Sequence, residues 1–292
     1  MAAQAIAPLV VIVGPTASGK TSLAIDVALR HSGEIICADS RTVYKCMDIG
    51  TAKPTAAEQK LVPHFGLDLV QPGERFTAAD FKRYAVEKIA EIRARGHVPI
   101  LVGGTGLYVD AVIFDYQFGA DVDQDLRGQL MAMTLEQLQQ YCRDHDISLP
   151  ENEKNKRYII RAIETVTTVK KRRHELIDNT IVVGIATDKV LLRSRIEKRA
   201  EQLFEDGVVK EAKQLGKKYG WESESMTSNI YPLLRAYSEG VLSLDEVKGK
   251  SAILDWRLAK RQMTWLKRNP FIHWASLDEA KIYLDQRLVK PE

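Results

Sequence analysis

Gly14-Pro15-Thr16-Ala17-Ser18-Gly19-Lys20-Thr21 follows the apolar run Leu9-Val10-Val11-Ile12-Val13 and precedes an amphipathic stretch over residues 22–29. Strand, glycine-rich loop and helix in that order are the context a phosphate-binding P-loop needs. Gly14 and Gly19 open backbone conformations closed to residues with a Cβ. Successive N–H groups of the loop can then curl round phosphate oxygens at the positive end of the following helix. Lys20 supplies a point charge to the outer phosphate, and the Thr21 hydroxyl stands where a Mg²⁺ ligand is needed. With glycine at about 7% of residues, the spaced pattern arises by chance in a chain of this length about once in a hundred. The flanking strand and helix lower that further, so phosphate binding is the expectation and an ordinary glycine turn the alternative. Neither the phosphate compound nor the reaction follows from the loop.

The 292 residues have room for one large domain or two smaller ones. Hydrophobic residues at 45% and charged residues at 28% describe an ordinary soluble globular protein. A formal net charge of +3 neither demands nor excludes nucleic acid, so local distribution must decide. Cys37, Cys46 and Cys142 have no metal-like spacing, and an odd, sparse set fits a reducing, cytoplasmic setting. Residues 1–8 lack the basic start and long apolar core of a signal peptide, and no apolar run approaches bilayer length.

Residues 34–38 read as a second buried strand ending in Asp39-Ser40. Ligands of open α/β sheets sit at the carboxyl ends of strands, so Asp39 lies beside the P-loop if the two strands are neighbours. A turn or helix cap is the alternative for Asp39. Residues 64–70 suggest a short strand. Thr77-Ala78-Ala79-Asp80 resembles a capping box, and Phe81, Tyr84, Ala85, Ile89 and Ile92 follow at helical spacing up to Gly96. Val98-Pro99-Ile100-Leu101-Val102 is a further buried strand running into Gly103-Gly104-Thr105-Gly106, a second glycine-rich turn. That strand ends in glycine where a P-loop ATPase has a metal-associated acid. Asp39 is the better-placed carboxylate, to assist Mg²⁺ or to take a proton.

From Gly119 the texture changes to helical patterns, with a basic stretch at residues 154–161 and another at Lys170-Lys171-Arg172-Arg173. Thr180-Ile181-Val182-Val183-Gly184-Ile185 resumes the buried-strand character. Residues 119–179 therefore read as a helical insertion; on charge alone it is either a solvated hairpin or a binding unit. Asp188 is placed to cap a helix through Glu205, and residues 221–229 look loop-like. A long last helix opens with the capping box Ser243-Leu244-Asp245-Glu246 and runs towards Arg268. At 100° per residue, Arg257, Lys260, Arg261, Lys267 and Arg268 share an arc of about 120°, with Leu254, Leu258 and Trp265 on an adjoining side. Such a stripe suits a nucleic-acid backbone or, equally, water.

Four stretches together resemble the bacterial tRNA dimethylallyltransferases (isopentenyltransferases). They are residues 14–21; Ala38-Asp39-Ser40 with Tyr44-Lys45 and Met47-Asp48-Ile49-Gly50-Thr51-Ala52-Lys53-Pro54; Gly103-Gly104-Thr105 with Leu107-Tyr108; and Leu258-Ala259-Lys260-Arg261-Gln262 with Thr264-Trp265-Leu266. The first is common to P-loops, and the other three are specific. The resemblance implies an α/β, P-loop NTPase-like parallel-sheet core over residues 1–118 and 180–292, carrying a helical, tRNA-binding insertion over residues 119–179. It implies transfer of a dimethylallyl group from dimethylallyl diphosphate to N6 of the adenine 3′ to the anticodon. The P-loop residues, Gly14 to Thr21, would hold the diphosphate, with Lys20 and Mg²⁺ at Thr21 against the leaving group. Asp39 would accept the N6 proton, since adenine's delocalised amino group is a poor nucleophile. Thr105 would contact the target nucleotide. Asp39, Ser40, Arg41, Thr42, Arg127, Arg157, Arg161, Lys260, Arg261, Gln262, Trp265 and Lys267 would contact the tRNA anticodon arm. The enzyme is expected to be a monomer.

The chain departs from the family pattern at three places. Ile230-Tyr231-Pro232 stands where Gly-Tyr-Arg is usual, Asn155-Lys156-Arg157-Tyr158 where Asp-Lys-Arg-Arg is, and Cys46 where a glycine is. Three other readings stay open at this level: an adenylate prenyltransferase of the cytokinin type, a small-molecule kinase, and an RNA-binding relic without activity. The basic insertion and the Lys260–Lys267 stripe argue against the first, because a mononucleotide needs no extended basic surface.

Overall fold

A computed structural model describes residues 6–118, 123–166, 172–227 and 230–288. Lys170 and Lys171 of the second basic cluster, and Ser228 and Asn229, lie outside the described residues. The chain divides into two compact units. One runs up to Phe114 and resumes at Glu175; the other is Asp115–His174.

In the first unit, β1 (Leu9–Val13), α1 (Lys20–His31), β2 (Gly33–Cys37), α2 (Ala56–Leu61), β3 (His64–Phe65), α3 (Ala78–Ala94), β4 (Val98–Gly103) and α4 (Gly106–Ile113) come first. The second unit holds α5 (Gln124–Ala132), α6 (Leu135–Asp144) and α7 (Lys156–Glu164). The first unit then resumes with β5 (Thr180–Ile185), α8 (Lys189–Glu205), α9 (Val208–Tyr219), a 3-10 turn at Glu224–Thr227, α10 (Tyr231–Ser238), α11 (Leu244–Leu266), β6 (His273–Ala275) and α12 (Leu277–Leu288). The strands form one sheet in the order β3-β2-β4-β1-β5-β6, and every pairing is parallel.

β1 is central and wholly buried. Its side chains alternate between the two faces, as the strand's period of two requires. Leu9, Val11 and Val13 join a cluster with Phe81, Ala85 and Ile92 of α3 and Val109 and Val112 of α4. Val10 and Ile12 join one with Ala24 and Val27 of α1 and Ala280 and Leu284 of α12. Helices thus cover both faces, which is why the strands read as unbroken apolar runs. Each such buried side chain contributes about 1.5–3 kcal/mol before chain entropy opposes it. Thr77 and Asp80 form the expected capping box of α3, Ser243 and Glu246 that of α11, and Asp188 caps α8.

Several local expectations change. The strand over residues 64–70 shrinks to His64–Phe65 with an isolated bridge from Tyr44 to Val70, because Gly66 (φ 82°) and Asp68 (φ 55°) turn left-handed. Helices α9 and α10 had no counterpart in the sequence reading. On α11 the buried positions are Val247, Ser251, Ala259 and Leu266, while Leu254, Leu258 and Trp265 are only half-buried. The reason is that part of this helix closes over a cavity and not over apolar core. The second unit begins and ends earlier than residues 119–179. Leu176 and Ile177 pack on the core cluster, and the Ile177 N–H donates to the Ile113 carbonyl at 2.8 Å. No helix among the described residues is long and apolar enough to cross a membrane.

Candidate active site

β1 and β4 run side by side with Val13 opposite Gly103, and β2 lies beyond β4 with Cys37 opposite Val102. The first two strands are therefore not neighbours, so the condition set for Asp39 fails. Asp39 still faces the same cavity as the P-loop, because the strand between them ends in glycine. Gly103 passes so close to β2 that a Cβ on it would overlap the Ala38 carbonyl oxygen. With no side chain on that edge, one cavity of about 320 Å³ takes in Thr16, Lys20 and Thr21 of the P-loop together with Asp39 and Thr105.

The loop is built as an anion cradle. Gly19 takes φ 92° at the start of α1 and offers no side-chain cap, so the first-turn N–H groups are left for a ligand. Lys20 Nζ donates to the Pro15 carbonyl at 3.2 Å. Burial, and after it the nearby Arg199 charge, lower the Lys20 ammonium to about 8, with Asp39 opposing both. Arg199 reaches in from α8, where its Nη1 donates to Thr16 Oγ1 at 2.6 Å, and Arg195 Nη1 donates to the Ser18 carbonyl at 3.3 Å. Among the described residues, Ser18 Oγ and Arg199 Nε are buried with no hydrogen-bond partner. Unmet donors beside a P-loop are what an anionic ligand satisfies. Arg199 was missed by sequence reading, since nothing separates it from Arg193, Arg195 and Lys198 on the same basic helix.

On the far side of the glycine edge, Asp39 Oδ1 accepts the Arg41 N–H at 2.8 Å. Thr105 Oγ1 accepts the Ser40 N–H at 3.1 Å, which leaves its own hydroxyl proton free to be donated to a ligand. Ser40, Arg41 and Thr42 line the same cavity. So do Ser251, Asp255, Leu258, Arg261 and Gln262 along the inner face of α11. Gln262 and Trp265, expected at the RNA, are engaged inside the fold. Gln262 Oε1 accepts the Thr16 N–H at 2.8 Å, and Trp265 Nε1 donates to Asp110 Oδ2 at 2.7 Å. Lys260 and Lys267 are exposed on the same helix, Lys260 Nζ lying 5.4 Å from the Trp256 ring centre.

Thr21 and Asp39 are oxygen donors of the kind a hard cation takes, so the site fits Mg²⁺. Among the described residues no group of three or more His, Cys, Asp or Glu could hold a metal alone. A cation here would complete its shell with ligand oxygens and water.

The second unit has its own small core of Leu130, Leu138, Cys142, Ile159, Ile160 and Ile163. Asn155 caps α7, its Oδ1 accepting the Arg157 N–H at 3.1 Å. Arg157 and Arg161 are exposed on α7, one turn apart. The Glu164 side chain, 2% exposed, lies 3.6 Å from Arg127 and 3.2 Å from Arg161.

Residues 42–269 match the family profile described as IPP transferase. A tRNA dimethylallyltransferase of Acetivibrio thermocellus is 38% identical, covering 97% of this chain and 95% of that protein. Another, from Bacillus subtilis, is 33% identical over 98% of this chain and 95% of its own. The crystal structure of the full-length tRNA isopentenylpyrophosphate transferase of Bacillus halodurans has a TM-score of 0.74 at 34% identity over 96% of each chain. The matched span takes in the second glycine turn, Arg199 and all of α11. Those are the parts of the cavity that a generic phosphate loop lacks, and with them the chain belongs to the IPP transferase family.

Proposed function

We propose that this chain transfers a dimethylallyl group from dimethylallyl diphosphate to N6 of the adenine next to the anticodon, on its 3′ side, in tRNA. The observation that carries this reading is the glycine edge of β4, across which an anion cradle and a carboxylate share one cavity. A kinase could use the same cradle and carboxylate; the family match over residues 42–269 favours prenyl transfer.

The P-loop amides, Lys20 and Arg199 hold the diphosphate. The adenine leaves its stack to enter the cavity, as bases must when enzymes act on them. N6 attacks the allylic C1 while the C1–O bond breaks, and the bonding pair leaves on the diphosphate. Lys20 and Arg199 lie where that negative charge grows and stabilise it. Asp39 takes the N6 proton, and Thr105, oriented by the Ser40 N–H, holds the base. The Thr21 hydroxyl would hold Mg²⁺, which when bound would supply further positive charge against the leaving group. Arg127, Arg157 and Arg161 of the helical unit, with Arg41, Arg261, Lys260 and Lys267, grip the anticodon arm through phosphates. A monomer is expected; sedimentation of the purified protein checks this.

The departure at Ile230-Tyr231-Pro232 is compatible with activity. Pro232 stands in the first turn of α10, where a missing N–H costs no hydrogen bond.

The test is mass spectrometry of nucleosides from unmodified tRNA incubated with the protein, Mg²⁺ and dimethylallyl diphosphate. A dimethylallyladenosine peak is expected, and Asp39→Asn is expected to lower its rate about 10²–10⁴-fold with tRNA binding unchanged. Prenylated AMP with untouched tRNA would place the chain among adenylate prenyltransferases. ATP-dependent phosphoryl transfer with no prenyl product would make it a kinase.

A further inference from the structure

One wall of the cavity rests on a carboxylate that no sequence signal marked. Glu211 stands in the first turn of α9 and is half-buried. Its Oε2 accepts the N–H groups of Asp48 at 2.9 Å and Ile49 at 2.7 Å. Its Oε1 accepts the Gly50 N–H at 2.9 Å and the Tyr231 hydroxyl at 2.8 Å. Three consecutive backbone N–H groups turned onto one anion form a nest, a shape that elsewhere holds a ligand and here holds the protein's own side chain.

The same joint is packed as well as bonded. The Tyr231 ring fills the space a Cβ on Gly50 would need, 2.6 Å from its Cζ and hydroxyl oxygen. Lys53 pins the other end of the turn, with Nζ 2.6 Å from Asp48 Oδ1 and 2.7 Å from Asp68 Oδ1. Beyond the joint, Gly50, Thr51 and Ala52 on one side and Ile230 on the other line the cavity. The phosphate cradle, by contrast, is braced from α8 and α11 through Arg195, Arg199 and Gln262. None of the hydrogen bonds to Glu211 goes to the P-loop.

We propose that Glu211 is a positioning residue for the acceptor base. It sets the distance between the turn at residues 50–52 and the start of α10, and so the fit of the base between them, without touching donor binding. This rests on the prenyl-transfer reading of the site. A purely structural role for Glu211 would loosen both substrate sites or neither.

The experiment uses the full-length protein with Glu211→Gln and Tyr231→Phe, each checked for folding by circular dichroism. Steady-state prenylation gives separate constants for tRNA and for dimethylallyl diphosphate, and calorimetry gives the Kd of inorganic diphosphate. Glu211→Gln places amide protons against backbone donors and is expected to lower kcat/KM for tRNA about 10–100-fold. The donor KM and the diphosphate Kd should stay within about twofold, because the cradle keeps its braces. Tyr231→Phe keeps the ring against Gly50 and removes one donor, so a loss of about threefold is expected.

Unchanged kcat/KM for tRNA in folded Glu211→Gln overturns the proposal, as does an equal fall for both substrates. If that variant does not fold, Tyr231→Phe decides by the same split. A wild-type protein that forms no prenylated adenosine overturns the reaction and not the positioning. The Kd for an anticodon stem-loop then judges Glu211: weakening of about tenfold with diphosphate binding kept supports it, and no change overturns it.

Discussion

Two glycine-rich turns stand side by side at one edge of the sheet and use glycine for different ends. Both follow a buried parallel strand and open a helix, one between β1 and α1 and the other between β4 and α4. In the first, Gly19 (φ 92°) and Ala17 (φ 62°) are left-handed, and the bend sets Lys20 in the wall of the cavity. In the second, Gly103, Gly104 and Gly106 take no positive φ. They serve by having no Cβ, so that the Ala38 carbonyl and the Trp265 ring can lie against the chain. The first turn makes a site; the second makes room for one. A glycine run between strand and helix does not by itself say which.

The comparison can be broken most sharply at Lys20. Lys20→Ala removes the point charge from the first turn, and kcat/KM for the prenyl donor should fall about 10²–10³-fold with no loss of thermal stability, since the buried charge it removes is a cost to the free fold. A loss under tenfold would mean that the loop amides and Arg199 suffice. In the second turn the order reverses: Gly103→Ala should damage the fold first. Its Cβ meets backbone, which cannot swing aside, so stability should drop by about 3 kcal/mol, seen as a lower denaturant midpoint. A midpoint unchanged there, with donor binding lost, would make this turn a ligand loop after all.

A third test uses pH. The free protein holds Lys20 at about 8, against an ordinary 10.5. The folded state therefore disfavours the charged form, a cost fully present below pH 8 and relieved as pH rises towards 10.5. A bound diphosphate favours the charged form, so binding takes up a proton above pH 8. Dimethylallyl diphosphate, a monoester whose last phosphate proton leaves at about pH 6, no longer titrates in that window. It should bind up to about tenfold more weakly per pH unit above 8, checked by calorimetry in buffers of different ionisation heat. A flat profile would remove Lys20 from the cradle.

The smallest effect concerns Cys46, which stands at φ 62°. It meets the backbone demand of Gly19 with a residue that bears a Cβ. Cys46→Gly should relieve that strain and raise stability by about 1 kcal/mol, read from the denaturant midpoint at constant slope. A loss instead would show that the thiol's packing outweighs the backbone term.

What was legible in the chain is what local chemistry dictates. The P-loop, the apolar runs of β1, β2, β4 and β5, and the boxes at Thr77 and Ser243 each carry their cause within a few residues. Asp39 was found for a sound reason, its place after a strand, although the strand order assumed for it was wrong. Arg199 and Glu211 were not legible. Each acts on a partner more than 150 residues away in the chain, and on its own helix each looks like any other charged residue. Helix α9 was within reach: Val208, Ala212 and Leu215 are spaced for one face, between Gly207 and Gly220. Gln262 shows the opposite difficulty. Its neighbours on α11 advertise a basic surface, while its own amide turns inward to the P-loop.

The hydrogen bond from Ile177 to Ile113 has a consequence for how such a protein changes over time. The chain quits the core after α4 and returns beside the point it left, so the helical unit hangs on a closed stitch. Lengthening, exchanging or deleting that cassette asks no strand of the sheet to move. A lineage can therefore alter that unit while the sheet of the core stays fixed.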